Sequence, residues 1–173
     1  MPFAVTHVLS TVVLVDLYRD YIAKHKKYFT THTIFIAGFA GLLPDVDILL
    51  NLLLNFFGAG IAHRTITHTP FFAFIFLMPA VMLWIYKKHK IAVYFFVTTF
   101  GILLHIFLDF LLSTDAGSGI MFFYPFSNLT FEIGLLGKLT TLELMKLYAA
   151  IDAVALLLWL WHEEMRHKIS DYI

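Results

Sequence analysis

The sequence predicts an all-α, polytopic membrane bundle of about five transmembrane helices, with the N-terminus outside and the C-terminus inside. Three observations lead there. Hydrophobic residues make up 60% of the 173 residues and charged residues only 14%, with mean hydropathy +0.82; soluble domains run nearer a quarter charged. Five apolar segments stand out, and the lysines gather between them. The length fits one domain over residues 1–173. Twelve basic against twelve acidic side chains leave no net charge, which argues against a nucleic-acid binder. The absence of cysteine excludes a disulfide framework, a thiolate zinc site and a cysteine nucleophile.

The segments cover residues 3–22, 34–57, 70–86, 91–112 and 144–161. A spanning helix needs about 20 mostly apolar residues, and four segments meet this. The first is weakened by His7, Asp16, Arg19 and Asp20. It lacks the basic lead and small-residue cleavage site of a signal peptide, so it is read as a retained helix. Lys24-His25-Lys26-Lys27, Lys87-Lys88-His89-Lys90 and the Arg166/Lys168 tail belong inside under the positive-inside rule. Five spans put all three on one side. The outer side then carries residues 58–69 and a long loop, 113–143, of a length that is often functional and is read as a possible lid.

Ionisable groups inside apolar spans are costly, rare and commonly functional. His105 and Asp109 are four apart, hence on one helix face. They suit a shared cation or a plain His–Asp hydrogen bond. Asp45 and Asp47 flank Val46 after Pro44. As i and i+2 they serve one site only if the helix breaks there, or if they bind different ions. In His63-Arg64-Thr65-Ile66-Thr67-His68-Thr69-Pro70, Thr69 and Pro70 read as a helix start and His68 as the better ligand. His7 sits one to two turns into the first segment. Asp16 lies nearer the inner half. Asp152 needs a partner within the bundle. His25, His32, His89, His162 and His167 are read as solvated. On the expected topology, His7, Asp45, Asp47, His63, His68, His105 and Asp109 share the outer half of the membrane. Mixed imidazole and carboxylate donors suit zinc, with manganese or iron as alternatives.

Thr6-His7, Leu43-Pro44-Asp45-Val46-Asp47, His63-Arg64-Thr65-Ile66-Thr67-His68-Thr69, His105-x-x-x-Asp109 and Tyr124-Pro125-Phe126 together resemble the membrane-bound metal-dependent hydrolase family, also described as LexA-binding, inner-membrane-associated hydrolases. The resemblance covers about residues 2–126. It implies a metal-dependent hydrolase of a bacterial or archaeal inner membrane. A more distant similarity of ligand order links His7, Asp45 or Asp47, His68, His105 and Asp109 to zinc-dependent phospholipase C and the single-strand-specific nucleases. The later ligands of that fold have no clear counterpart here, so one or two ions are expected rather than three.

The expected activity is therefore hydrolysis of a phosphoester in a lipid or lipid-linked substrate at the outer membrane face. His7, Asp45, Asp47, His68, His105 and Asp109 are the expected metal ligands. Arg64 is the expected phosphate clamp, and His63 or Asp115 the proton carrier. An amide or carboxylic ester would suit the same metal chemistry. A metal-ion transporter or sensor, or a protein with a purely structural metal, are the readings from other classes.

Overall fold

The computed structural model describes residues 3–24, 27–60, 63–113 and 119–167. Among them it is all-helical apart from one isolated antiparallel bridge. The helices are α1 (Ala4–Leu17), α2 (Thr31–Ala40), α3 (Val46–Phe56), α4 (Pro70–Ile85), α5 (His89–Leu112) and α6 (Thr141–His167). A π-helical extension, Tyr18–Ala23, follows α1, and a short 3₁₀ turn, Ile66–His68, precedes α4. The chain forms two compact units, Met1–Lys138 and Leu139–Ile173. α6 makes up the described helix of the second.

Two helices, not five, are long and apolar enough to cross a membrane: α5 with 24 residues and α6 with 27. The expected five spans are corrected by what interrupts the others, and the N-out, C-in topology built on them loses its basis. α1 has 14 residues and α4 has 16. At 1.5 Å per residue the longer of these reaches about 24 Å, short of a hydrocarbon core of about 30 Å. The apolar run 34–57 is two helices, α2 with 10 residues and α3 with 11. Pro44 has no N–H to continue a helical ladder. Turn bonds from Asp45 N to Leu42 O (3.1 Å) and Val46 N to Leu43 O (3.2 Å) carry the chain across the break.

The helix ends follow local chemistry. Thr69 caps α4, its side chain accepting from Phe72 N at 3.3 Å, with Pro70 first in the helix. α4 stops where Lys87 turns left-handed (φ 59°); Lys88 N then bonds Leu83 O at 2.8 Å and Lys87 N bonds Trp84 O at 3.0 Å, a Schellman closure. α6 opens with a capping box. Thr140 N donates to Glu143 Oε2 (2.8 Å) and Glu143 N to Thr140 Oγ1 (3.4 Å).

α5 is the axis of the first unit, and α1, α2 and α4 all pack against it. Close approach of α5 to the end of α2 depends on glycine. A Cβ on Gly101 would stand 2.7 Å from Ala40 Cβ, and one on Gly41 would stand 2.8 Å from both His7 O and Thr11 Oγ1. Two apolar clusters lie along α5. One joins Val15, Ile34, Ala37, Val93 and Val97. The other joins Ala73, Ile102, Ile106 and Ile120. His105 and Asp109 share a helix face at the level of the second.

The described part of the loop expected as a lid is tied to α5. Ile133 N donates to Phe110 O (2.9 Å) and Leu135 N to Leu111 O (3.0 Å), satisfying carbonyls that a helix end leaves open. Ile120 and Phe131 exchange two backbone bonds of 2.9 Å, and Ile120 is fully buried in the second cluster. Ile120→Ala is expected to destabilise the unit by about 2–5 kcal/mol, as buried isoleucine truncations do. The thermal midpoint in detergent measures it.

Candidate metal centre

The break between α2 and α3 decides which way each aspartate points. Asp45 occupies the N-cap position of α3, yet its side chain makes no cap bond. Its carboxylate turns instead to two imidazoles. Asp45 Oδ1 is 3.5 Å from His68 Nε2 and 3.5 Å from His105 Nε2. Asp109 Oδ2 is 3.8 Å from each of the same two nitrogens. A tetrahedral ion with bonds of about 2.0–2.1 Å sets its ligand atoms about 3.3–3.4 Å apart. The Asp45 contacts sit close to that spacing, and the Asp109 contacts lie about 0.4 Å beyond it.

The donors are aimed and unspent. His105 Nδ1 donates to Gly41 O at 2.7 Å, which leaves Nε2 as a lone-pair donor. His68 Nε2, His105 Nε2 and Asp109 Oδ1 are buried and make no hydrogen bond among the described residues. Orphaned buried polar atoms are expensive, and a cation between the two imidazoles removes that cost at both. His68, His105 and Asp109 are at most 1% exposed, while the Asp45 side chain is 25% exposed and marks the open side.

His7 completes the buried layer. Its ring stacks on His105 with centroids 3.8 Å apart and planes 19° from parallel. Its Nε2 lies 3.3 Å from Asp109 Oδ1. Asp109 therefore offers one oxygen to His7 and the other to the His68/His105 pair. His7, His105 and Asp109 form one group able to hold an ion, and Asp45, His63 and His68 another.

A family model described as YdjM inner membrane protein matches residues 1–169. The chain belongs to that family. No curated protein and no solved structure gives a significant match. Membership in the YdjM family agrees with the membrane-crossing length of α5 and α6 and makes the chain an inner membrane protein, as the sequence resemblance implied for its location. The family description names a place and not a reaction.

In this YdjM-family chain Asp47, expected as a ligand, bonds to the turn that carries His63, Arg64 and His68. Its Oδ1 is 2.8 Å from His63 Nδ1. Its Oδ2 accepts from Arg64 N (3.1 Å) and Thr67 Oγ1 (3.0 Å), and lies 3.4 Å from His68 Nδ1. Asp47 thus grips the turn that carries His63, Arg64 and His68, and faces the His68 nitrogen turned away from Asp45. Burial opposes a protonated His68, but the facing carboxylates of Asp45, Asp47 and Asp109 outweigh it and hold its pKa above the ordinary value. The same negative field attracts a metal ion.

Arg64 points its Nη2 to Asp109 Oδ2 at 3.4 Å. Its backbone is left-handed, φ 63°, a conformation that costs a non-glycine residue about 1–3 kcal/mol. The bonds from Asp47 and Thr67 hold that turn in place. His63 is 31% exposed, at the mouth. Asp115, the other expected proton carrier, lies outside the described residues. Two contributors were not singled out in the sequence. Thr67 bridges Asp47 to His68 (3.1 Å to Nδ1), and the Gly41 carbonyl fixes His105. A threonine in a polar turn and a backbone carbonyl carry no sequence signal that separates them from their neighbours.

Proposed function

We propose that this protein is a metal-dependent hydrolase of the inner membrane that cleaves a phosphoester bond in a lipid or lipid-linked substrate. The observation that carries the reading is the matched pair of imidazole nitrogens, each 3.5 Å from Asp45 Oδ1 and 3.8 Å from Asp109 Oδ2. His68, His105, Asp45 and Asp109 would hold one divalent ion, zinc being the best match to two nitrogens and two oxygens. His7 and the second oxygen of Asp109 would hold another. When bound, such an ion supplies Lewis acidity, acidifying water and neutralising charge on the oxygens of the scissile bond.

The remaining steps belong to the protein. Arg64 brings a guanidinium beside Asp109, where it can hold a phosphoryl oxygen through parallel N–H donors; this favours phosphoester over amide or carboxylic ester. His63 gives its Nδ1–H to Asp47, so its Nε2 is the nitrogen that takes and returns a proton. The exposed edge of Asp45 leaves a way in for the substrate. The charge pattern of the first unit supports an outward-facing site. Lys87, Lys88 and Lys90 surround the start of α5, and His105 lies about 26 Å further along at 1.5 Å per residue. Lys24 and Lys27 likewise precede α2, whose far end meets His105. The positive-inside rule assigns the lysine ends to the cytoplasm.

A transporter is the weaker reading. Asp16, the acid a cation path toward the lysine end would use, is paired with Arg19 at 2.7 Å. The test is direct. Purified protein should contain divalent metal, hydrolyse phosphodiester lipid analogues, lose turnover on chelation and regain it with zinc or manganese. Liposomes carrying it should pass no metal. Metal flux without turnover would replace the hydrolase reading with transport, and turnover that survives full chelation would remove the metal from the mechanism.

A further inference from the structure

We infer that the apolar groove at the lysine-bearing end of the first unit binds an acyl chain of an anionic phospholipid, with the lipid phosphate held by Lys24, Lys27, Lys87 and Lys88. The groove encloses about 820 Å³, within the range of about 300–1,000 Å³ typical of small-molecule sites. It is walled by α1 and its π-helical extension (Leu14, Tyr18, Tyr21), by Trp84 of α4 and by Val97 and Phe96 of α5. None of its lining residues is charged.

The rim has the opposite character. Lys24 follows the lining residue Ala23, and Lys27 precedes the lining residue Tyr28. The Lys27 ammonium lies 5.2 Å from the Tyr28 ring centroid, a cation–π distance. Tyr28 and Trp84 both meet the His89 ring, at 6.1 Å and 4.4 Å between centroids. This aromatic group stands where the chain turns through Lys87 and Lys88 into α5. The nearby acids offset only part of the lysine charge, because Arg19 bonds both Asp16 (2.7 Å) and Asp20 (2.8 Å) and leaves a single net negative charge there. An uncharged bore with a cationic, aromatic mouth is complementary to an amphiphile with a negative head. A neutral lipid would fill the bore without using the mouth. The groove and the metal centre lie toward opposite ends of α5, so this site stands independently of the proposed reaction.

Trp84 lines the groove and reports on it. Of the three tryptophans, Trp159 and Trp161 are replaced by phenylalanine. The protein is then reconstituted into phosphatidylcholine vesicles containing either brominated phosphatidylglycerol or brominated phosphatidylcholine. Trp84 emission should be quenched at a several-fold lower fraction of the anionic lipid. Lys24→Gln and Lys27→Gln should each remove most of that preference, one basic residue at an anionic surface being worth about fivefold. Both lysines are exposed, so neither change threatens the fold. Leu14→Phe, at an exposed wall of the groove, should narrow it and reduce quenching by both lipids. Equal quenching by the two lipids, or a preference that survives the lysine substitutions, would overturn the site.

Discussion

Asp109→Asn is expected to abolish metal-dependent turnover and to weaken metal binding by more than about 100-fold, the upper end of what loss of a partner outside the coordination sphere costs. The substitution keeps the side-chain volume and removes one charge. Asp109 faces His7 through one oxygen and His68, His105 and Arg64 through the other, so no other carboxylate in the cluster can replace it. His105→Ala should have a similar effect on turnover, because it removes the nitrogen that Gly41 O aims. Asp47→Asn provides the contrast. Asp47 holds His63, Arg64, Thr67 and His68 from outside the proposed ion cage, so its loss should weaken metal affinity by about 10–100-fold and leave stoichiometry intact. Metal content after dialysis against graded chelator, with turnover on the same samples, measures all three. Equal metal content and turnover in wild type and Asp109→Asn would end the hydrolase assignment.

Gly41→Ala is expected to lower the stability of the first unit and its metal content together. Its Cβ would stand 2.8 Å from His7 O, a backbone atom, and 2.8 Å from Thr11 Oγ1, itself bonded to His7 O at 2.8 Å. Neither α1 nor the end of α2 can relieve that contact by a rotamer change. Overpacking of this kind costs about 1–3 kcal/mol and sometimes more. Any shift of Gly41 also moves the carbonyl that orients His105. A lowered thermal midpoint in detergent and a loss of bound metal should therefore appear together. Gly60→Ala is the control. Its close neighbours are the side-chain ends of Asn55 and Asn51, at 3.1 Å and 3.4 Å, which can swing aside. A Gly41→Ala protein with wild-type melting and metal content would show that the close approach is not what positions His7 and His105.

The readable parts of the fold and site depended on short-range regularity. The His105–Asp109 pair was legible because a spacing of four on a helix places both side chains on one face, and α5 is a helix there. The Thr69–Pro70 helix start was legible for a similar reason. The division of labour between Asp45 and Asp47 was not. Residues at i and i+2 diverge on a helix, and only the break at Pro44 lets Asp45 reach His68 and His105 while Asp47 reaches back to His63 and Thr67. The five expected spans failed because hydropathy counts apolar residues and does not register a break. The run through residues 34–57 stays apolar across an interruption that splits it into two short helices.

Composition determined that the chain is bound for a membrane, and the long uninterrupted apolar runs determined that it is helical, since a backbone in lipid is satisfied only by helices or a closed barrel and barrel strands are short and alternating. Residue types alone determined that the donors available to a metal are imidazole and carboxylate. Which donors meet was decided by tertiary packing: glycine contacts bring α1, α2 and α5 close enough for His7 to stack on His105, and a proline break swings Asp45 across to them. Such convergence depends on distances between segments far apart in the chain, which no local pattern encodes.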